Sequence, residues 1–119
     1  MVLVVDGANV VGARPDGWWK DRAGAARRLH EQLLTADLDH DVVLVLEGAA
    51  KAGVRAGRDG HVTVVHAPKD GDAEIVRQAH RAAEAGQTVT VVTADRLLSA
   101  RVAKAGPTVG PSWLLDRLG

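Results

Sequence analysis

The chain has 119 residues, 46% apolar and 25% charged, the balance of one globular domain that can bury a core unaided by disulfides or a structural metal. It contains no cysteine, which excludes disulfides and thiolate metal sites. Its 15 basic and 15 acidic residues cancel, so overall charge argues neither for nor against nucleic-acid binding.

No apolar run reaches the length of a membrane span, and the short N-terminal apolar stretch lacks the basic flank of a signal peptide. A cytoplasmic protein forming a single domain over residues 1–119 is expected. Phe and Tyr are absent, leaving Trp18, Trp19 and Trp113, too few for an extensive base-stacking platform.

In chain order, Val2–Val5 reads as a short buried strand ending on Asp6, with Gly7 freeing the backbone to turn and Asn9 following. Ala26, Leu29, Leu33 and Ala36 then share one helical face, with Arg27, Arg28, Glu31 and Gln32 opposite. Val42–Leu46 is a second continuous apolar strand. The stretch Gly48–His61 carries four glycines and reads as a mobile basic loop with Lys51, Arg55 and Arg58. Val62–Val65 and Val89–Val92 are further strands, separated by a helix over Ile75, Val76, Ala79 and Ala83 that stops near Gly86. Leu97, Leu98 and Val102 begin another helix, ended by Gly106-Pro107. Thr108–Val109 suits a last short strand and Ser112–Leu118 a closing helix. Strands alternating with helices in this way predict a parallel α/β sheet covered on both faces.

Acids recur where strands end: Asp6, Glu47, Asp70 with Asp72, and Asp95. In a parallel sheet these ends share one edge, where helix N-termini also gather and ligands bind. Carboxylates crowded there repel one another unless a cation lies between them, and one or two Mg²⁺ or Mn²⁺ ions would suit. Each acid has a plainer role open to it. Asp72 and Asp95 suit helix N-caps, and Glu47 and Asp70 suit solvated loops. Asn9 suits a left-handed turn. Asp6, ending a strand before glycine, does not read as a cap. Walker, dinucleotide-binding, haloacid-dehalogenase and nucleophile-elbow motifs are all missing, and the five histidines show no metal-ligand spacing.

Three blocks carry a family likeness: Val4-Val5-Asp6-Gly7-Ala8-Asn9-Val10-Val11-Gly12, Lys69-Asp70-Gly71-Asp72-Ala73-Glu74-Ile75 and Val91-Val92-Thr93-Ala94-Asp95-Arg96. In this order and spacing they resemble a NYN domain of the PIN-like nuclease superfamily, close to its YacP-type branch. The resemblance implies a three-layer α/β/α sandwich with a central parallel sheet of four to five strands and a Mg²⁺- or Mn²⁺-dependent ribonuclease site. Asp6, Asp72 and Asp95 would be the metal-binding acids, and Asn9 would orient a metal-bound water or a phosphate. Glu47 stands where many relatives have an Asp and is a further metal candidate. Leu97 replaces an acid that many NYN domains carry, which favours one ion over two.

The reaction implied is hydrolysis of RNA phosphodiester bonds. Arg96 could steady the phosphate, and Lys69, Arg14, Lys51, Arg55 and Arg58 could guide the backbone. Of Trp18 and Trp19, at least one is expected to anchor the first helix to the core, with base stacking as the other role open to them. The alternatives are a noncatalytic RNA- or protein-binding module and a metal-dependent nucleotide phosphohydrolase. RNA is the expected partner and a homodimer is compatible with this reading; no membrane association is expected, and the residues name no protein partner.

Overall fold

Strand β1 (Val2–Asp6) is buried along its whole length because it pairs in parallel with β2 (Asp41–Leu46) on one side and β5 (Val89–Val92) on the other. A computed structural model describes residues 1–118. Period-2 alternation sends β1 side chains into two separate cores. Leu3 and Val5 join Leu29 and Leu33 of α2 (Arg22–Thr35), Val10 and Val11 of α1 (Gly7–Gly12), and Leu114 of α5 (Pro111–Leu118). Val2 and Val4 join Ile75 and Ala79 of α3 (Gly71–Glu84) with Leu98 and Val102 of α4 (Arg96–Val102). Helices therefore cover both faces, giving the expected three layers. Among the described residues no helix is long and apolar enough to cross a membrane.

The sheet has six strands in the order β3-β4-β2-β1-β5-β6, with β4 at Val62–His66 and β6 at Thr108–Val109. All pairings are parallel except that of β3 (Gly57–Asp59) with β4. The chain builds outward from β1 through β2 to β4, then crosses back through α3 to β5 on the other side of β1. That reversal puts the topological switch point at the carboxyl ends of β1 and β5, where open α/β sheets bind ligands.

Six strands exceed the four to five expected, and the difference lies in Gly48–His61. Instead of a mobile loop, this stretch forms a 3-10 turn (Gly48–Gly53) and the antiparallel edge strand β3, which returns through Gly60 into β4. The 3-10 turn packs closely on α2. A Cβ on Gly53 would sit 2.0 Å from the carbonyl oxygen of Ala23, so glycine here permits backbone-to-backbone contact rather than disorder. Glycine count alone misread it. Gly53→Ala is expected to lower stability by about 1–3 kcal/mol, as for overpacking elsewhere, seen as a lower urea midpoint with an unchanged slope.

Candidate functional site

Asp6 ends β1 only 3% exposed. One carboxylate oxygen accepts the backbone N–H of Asn9 at 3.3 Å, and the other accepts the hydroxyl of Thr93 at 3.0 Å. Asp6 is thus the N-cap of α1, contrary to the expectation that a strand-terminal Asp before glycine caps nothing. Asn9 lies inside that short helix and not in a left-handed turn. Gly7 has no positive φ either. Its role is steric: an added Cβ would meet the Val45 carbonyl oxygen at 2.6 Å and the Leu46 side chain at 2.9 Å, so glycine lets α1 start hard against β2.

The turn after β5 is stitched to the turn after β1. Thr93 accepts the N–H of Asp95 at 3.1 Å while donating to Asp6. Asn9 accepts the N–H of Ala94 on its side-chain oxygen at 2.9 Å. Asp95 caps α4, one of its oxygens accepting from Leu97 and Leu98 at 2.9 and 3.1 Å. On the other side, Glu47 accepts the N–H of Gly71 at 3.1 Å and ties the end of β2 to the start of α3. The cap of α3 is Asp70, which accepts from Ala73 at 2.9 Å. Asp72, expected as a cap, sits one residue inside the helix and caps nothing.

These acids lie close enough to perturb one another. Burial pushes the Asp6 carboxyl above its ordinary value of 3.8; hydrogen bonds from Asn9 and Thr93 oppose the rise, and the charges of Asp72 and Glu47 add to it. Asp72 is also raised, first by burial and then by Asp95, Asp70 and Glu47, with Arg101 opposing. Glu74, buried on α3, shows the contrast. Burial pushes it up, but hydrogen bonds from Arg77 and Gln78 outweigh this and leave it below its usual range. Glu74 has a cation at hand, whereas Asp6 has only neutral donors.

An all-oxygen donor set of this kind suits a hard cation. Among the described residues, however, no three His, Cys, Asp or Glu side chains are gathered closely enough to hold an ion by themselves. The acids as placed do not form a ready-made cage for a cation.

The basic candidates separate. Arg96 and Lys69 are exposed beside Asp95 and Asp70. Arg14 instead donates to Gln32 at 2.6 Å, and Lys51 is half-buried and donates to the Ala67 carbonyl at 3.1 Å. Arg58 pairs at 3.7 Å with Asp41, which starts β2 at the opposite edge of the sheet. Arg55 is exposed. Trp18 packs against the core and Trp19 is 57% exposed, so one tryptophan anchors as expected. His61 and His66 are half-buried and bond the carbonyls of Leu33 and Val54 at 2.8 and 2.7 Å. Thr93, the buried link between Asp6 and Asp95, was not singled out from the sequence. Its signal was a hydroxyl two residues before a strand-end acid.

No family model matches the chain, and no curated protein matches it in sequence. A solved structure does match in shape: the crystal structure of a point variant of Rae1 (YacP) from Bacillus subtilis. The TM-score is 0.78, over 98% of this chain and 74% of that one, at 18% sequence identity. The chain has a YacP-like fold. The match concerns architecture, and it agrees with the sandwich implied by the three motif blocks.

Because Asp6 and Asp72 are raised, each contributes stability that is fully present below the unfolded carboxyl range and lost as pH rises through the folded value. Thr93→Val deletes the donor to Asp6 and the acceptor for Asp95. It is expected to cost about 1–3 kcal/mol at neutral pH. Urea titrations across pH should show that loss shrinking on acidification, as Asp6 takes up a proton.

Proposed function

We propose that the chain is a metal-dependent ribonuclease of the NYN/PIN-like kind, hydrolysing RNA phosphodiester bonds at the carboxyl edge of its sheet. The observation that carries this reading is the set of acids at the switch point. Asp6, Glu47, Asp72 and Asp95 come from four separate chain segments and sit near enough for Asp6 and Asp72 to be raised in part by their neighbours. A fold needs no such repulsion, and a cation relieves it. The YacP-like fold supports the reading, because the motif blocks resemble the same branch.

One or two of Asp6, Asp72 and Asp95 would hold a Mg²⁺ or Mn²⁺ ion, since no three acids among the described residues gather closely enough to share one. Mg²⁺ typically takes only one or two carboxylates and completes its shell with water and substrate phosphate, so no three-acid cage is needed. When bound, such an ion supplies a polarised phosphate oxygen and a water of lowered pKa.

The chain's own residues do the rest. Asn9 commits its side-chain oxygen to Ala94, which leaves its amide N–H groups for a phosphate oxygen or water. Arg96 and Lys69 offset phosphate charge at the rim. Thr93 donates to Asp6, which favours its charged form and orients it. Attack by water in line would leave a 3′-hydroxyl and a 5′-phosphate, as the resemblance implies. One observation favours a noncatalytic RNA-binding module instead: Leu97, 79% exposed, stands where many NYN domains have an acid.

Two measurements test the reading. Purified protein with structured and single-stranded RNA and Mn²⁺ is expected to cleave, and Asp6→Asn or Asp95→Asn to lose about 100-fold or more. Cleavage that persists in both variants sinks the site, RNA binding without cleavage favours the module, and phosphate release from nucleotides alone favours a phosphohydrolase. In thermal melts, Asp72→Asn without divalent ions is expected to melt a few degrees higher than the parent, since a repelling charge is gone. Mn²⁺ should raise the parent's melting temperature and leave the variant's nearly unmoved.

A further inference from the structure

The two tryptophans of the 3-10 turn Trp18–Lys20 are placed differently. Trp18 packs against the core, and the Arg22 guanidinium lies over its ring, 5.4 Å from the centroid. Trp19 meets Trp18 at 89°, with ring centroids 6.0 Å apart, and stays 57% exposed. A perpendicular contact takes at most one face of an indole, so Trp19 keeps a flat face in water while Trp18 sets its angle. The charges around the pair do not cancel. Residues 14–28 carry five bases against two acids, in a chain whose net charge is zero. Both acids are committed: Asp16 pairs with Arg28 at 3.9 Å, and Asp21 accepts the N–H of Gly24 at 2.9 Å as the cap of α2. Arg14 and Arg22 meet uncharged partners, and Lys20 is exposed without an ion pair among the described residues. An open cleft of about 540 Å³ joins this corner to the acidic edge, within the roughly 300–1,000 Å³ of small-ligand sites. Trp18 and Gly12 line it together with Asn9 and Ala94, which belong to the turns holding Asp6 and Asp95, and none of its lining side chains is charged.

We propose that Trp19 is a stacking platform for an unpaired base of an RNA strand that leaves the carboxylates through this cleft. The inference rests on the ribonuclease reading for the source of the strand and on the tryptophan pair for its capture. Every base has a π-face, so an indole face takes any of the four and no base preference follows. The surplus cations suit the phosphates that flank the stacked base. Protein interfaces also favour Trp with Arg, but they are depleted in Lys, and the uncancelled charge here suits a polyanion. A duplex keeps its bases stacked on one another and presents none to Trp19. The platform therefore selects single strands over duplex without reading their sequence.

The test reads binding separately from cleavage, with fluorescein-labelled oligouridylate, oligoadenylate and a blunt RNA duplex of equal length in EDTA. By anisotropy the parent is expected to bind both single strands, and the duplex at least about tenfold more weakly. Trp19→Ala should weaken both single strands about tenfold, as for the loss of one stacked base, and Trp19→Phe should retain most of the affinity. The salt dependence should be unchanged in Trp19→Ala, since a stack neutralises no phosphate, whereas Lys20→Ala should flatten its slope by about 1. Unlabelled oligouridylate should quench the parent's tryptophan fluorescence, and Trp19→Phe should remove most of that quenching. Unchanged affinity in Trp19→Ala, equal binding of the duplex, or quenching that survives in Trp19→Phe overturns the platform. No single-strand binding by the parent also overturns it and leaves this face to a protein partner. Metal-dependent cleavage that Asp6→Asn abolishes, with KM unmoved by Trp19→Ala, overturns the platform alone. Single-strand binding through Trp19 without cleavage in Mn²⁺ upholds the platform and counts against the ribonuclease reading.

Discussion

A carboxylate withdrawn from water at the end of a central strand must find hydrogen-bond donors, and Asp6 finds them in two different turns. Asn9 supplies one from the helix that Asp6 itself starts, and Thr93 supplies the other from beyond β5. That second bond sets the spacing of the switch point. Because Thr93 also receives the N–H of Asp95, and Asn9 receives that of Ala94, the β1 and β5 ends cannot separate without exposing or orphaning several polar groups. The geometry of the edge therefore follows from satisfying one buried acid.

The same arrangement opposes stability. Neutral donors lower the Asp6 carboxyl only partly, and Asp72 faces three other acids with Arg101 as the opposing charge. Glu74, a few residues along the same helix, shows that this fold can partner a buried acid with an arginine. That it does not do so at the switch point is the strongest physical reason to look for a cation or a substrate there. Sites kept under such strain are where function is found more often than chance would place it.

Much of this was legible from residue order. The apolar runs located β1, β2, β4 and β5, and their continuity implied burial on both faces, which two helix layers supply. The acids at strand ends do gather along one edge of the sheet, where Asp6 and Asp72 feel their neighbours' charges. Hydrogen-bond detail was not legible, because caps depend on where helices begin to within a residue. Gly7 looked like a turn former, so α1 was missed and Asp6 was denied its capping role. Asp72 looked like the cap of α3 and Asp70 like a solvated loop acid, because the helix starts two residues earlier than a cap at Asp72 implies. The glycines of Gly48–His61 suggested mobility, whereas Gly53 is small for close packing against Ala23. Arg14 and Lys51 looked free in sequence and are held by Gln32 and Ala67, partners far away in the chain.

Capping a helix and binding a cation are compatible roles for a strand-end acid. Asp95 caps α4 with one oxygen and has the other left over. Asp6 caps α1 with one oxygen and meets Thr93 with the second, each oxygen keeping a further lone pair. A cap also fixes the rotamer of the side chain that makes it. An acid so fixed reaches a cation with little entropy left to lose, which is the preorganisation that a binding edge requires. Asp72 caps nothing and so is not fixed in this way. In the site proposed, two fixed acids and one adjustable one would suit a cation that arrives with substrate phosphate better than one held permanently by the chain.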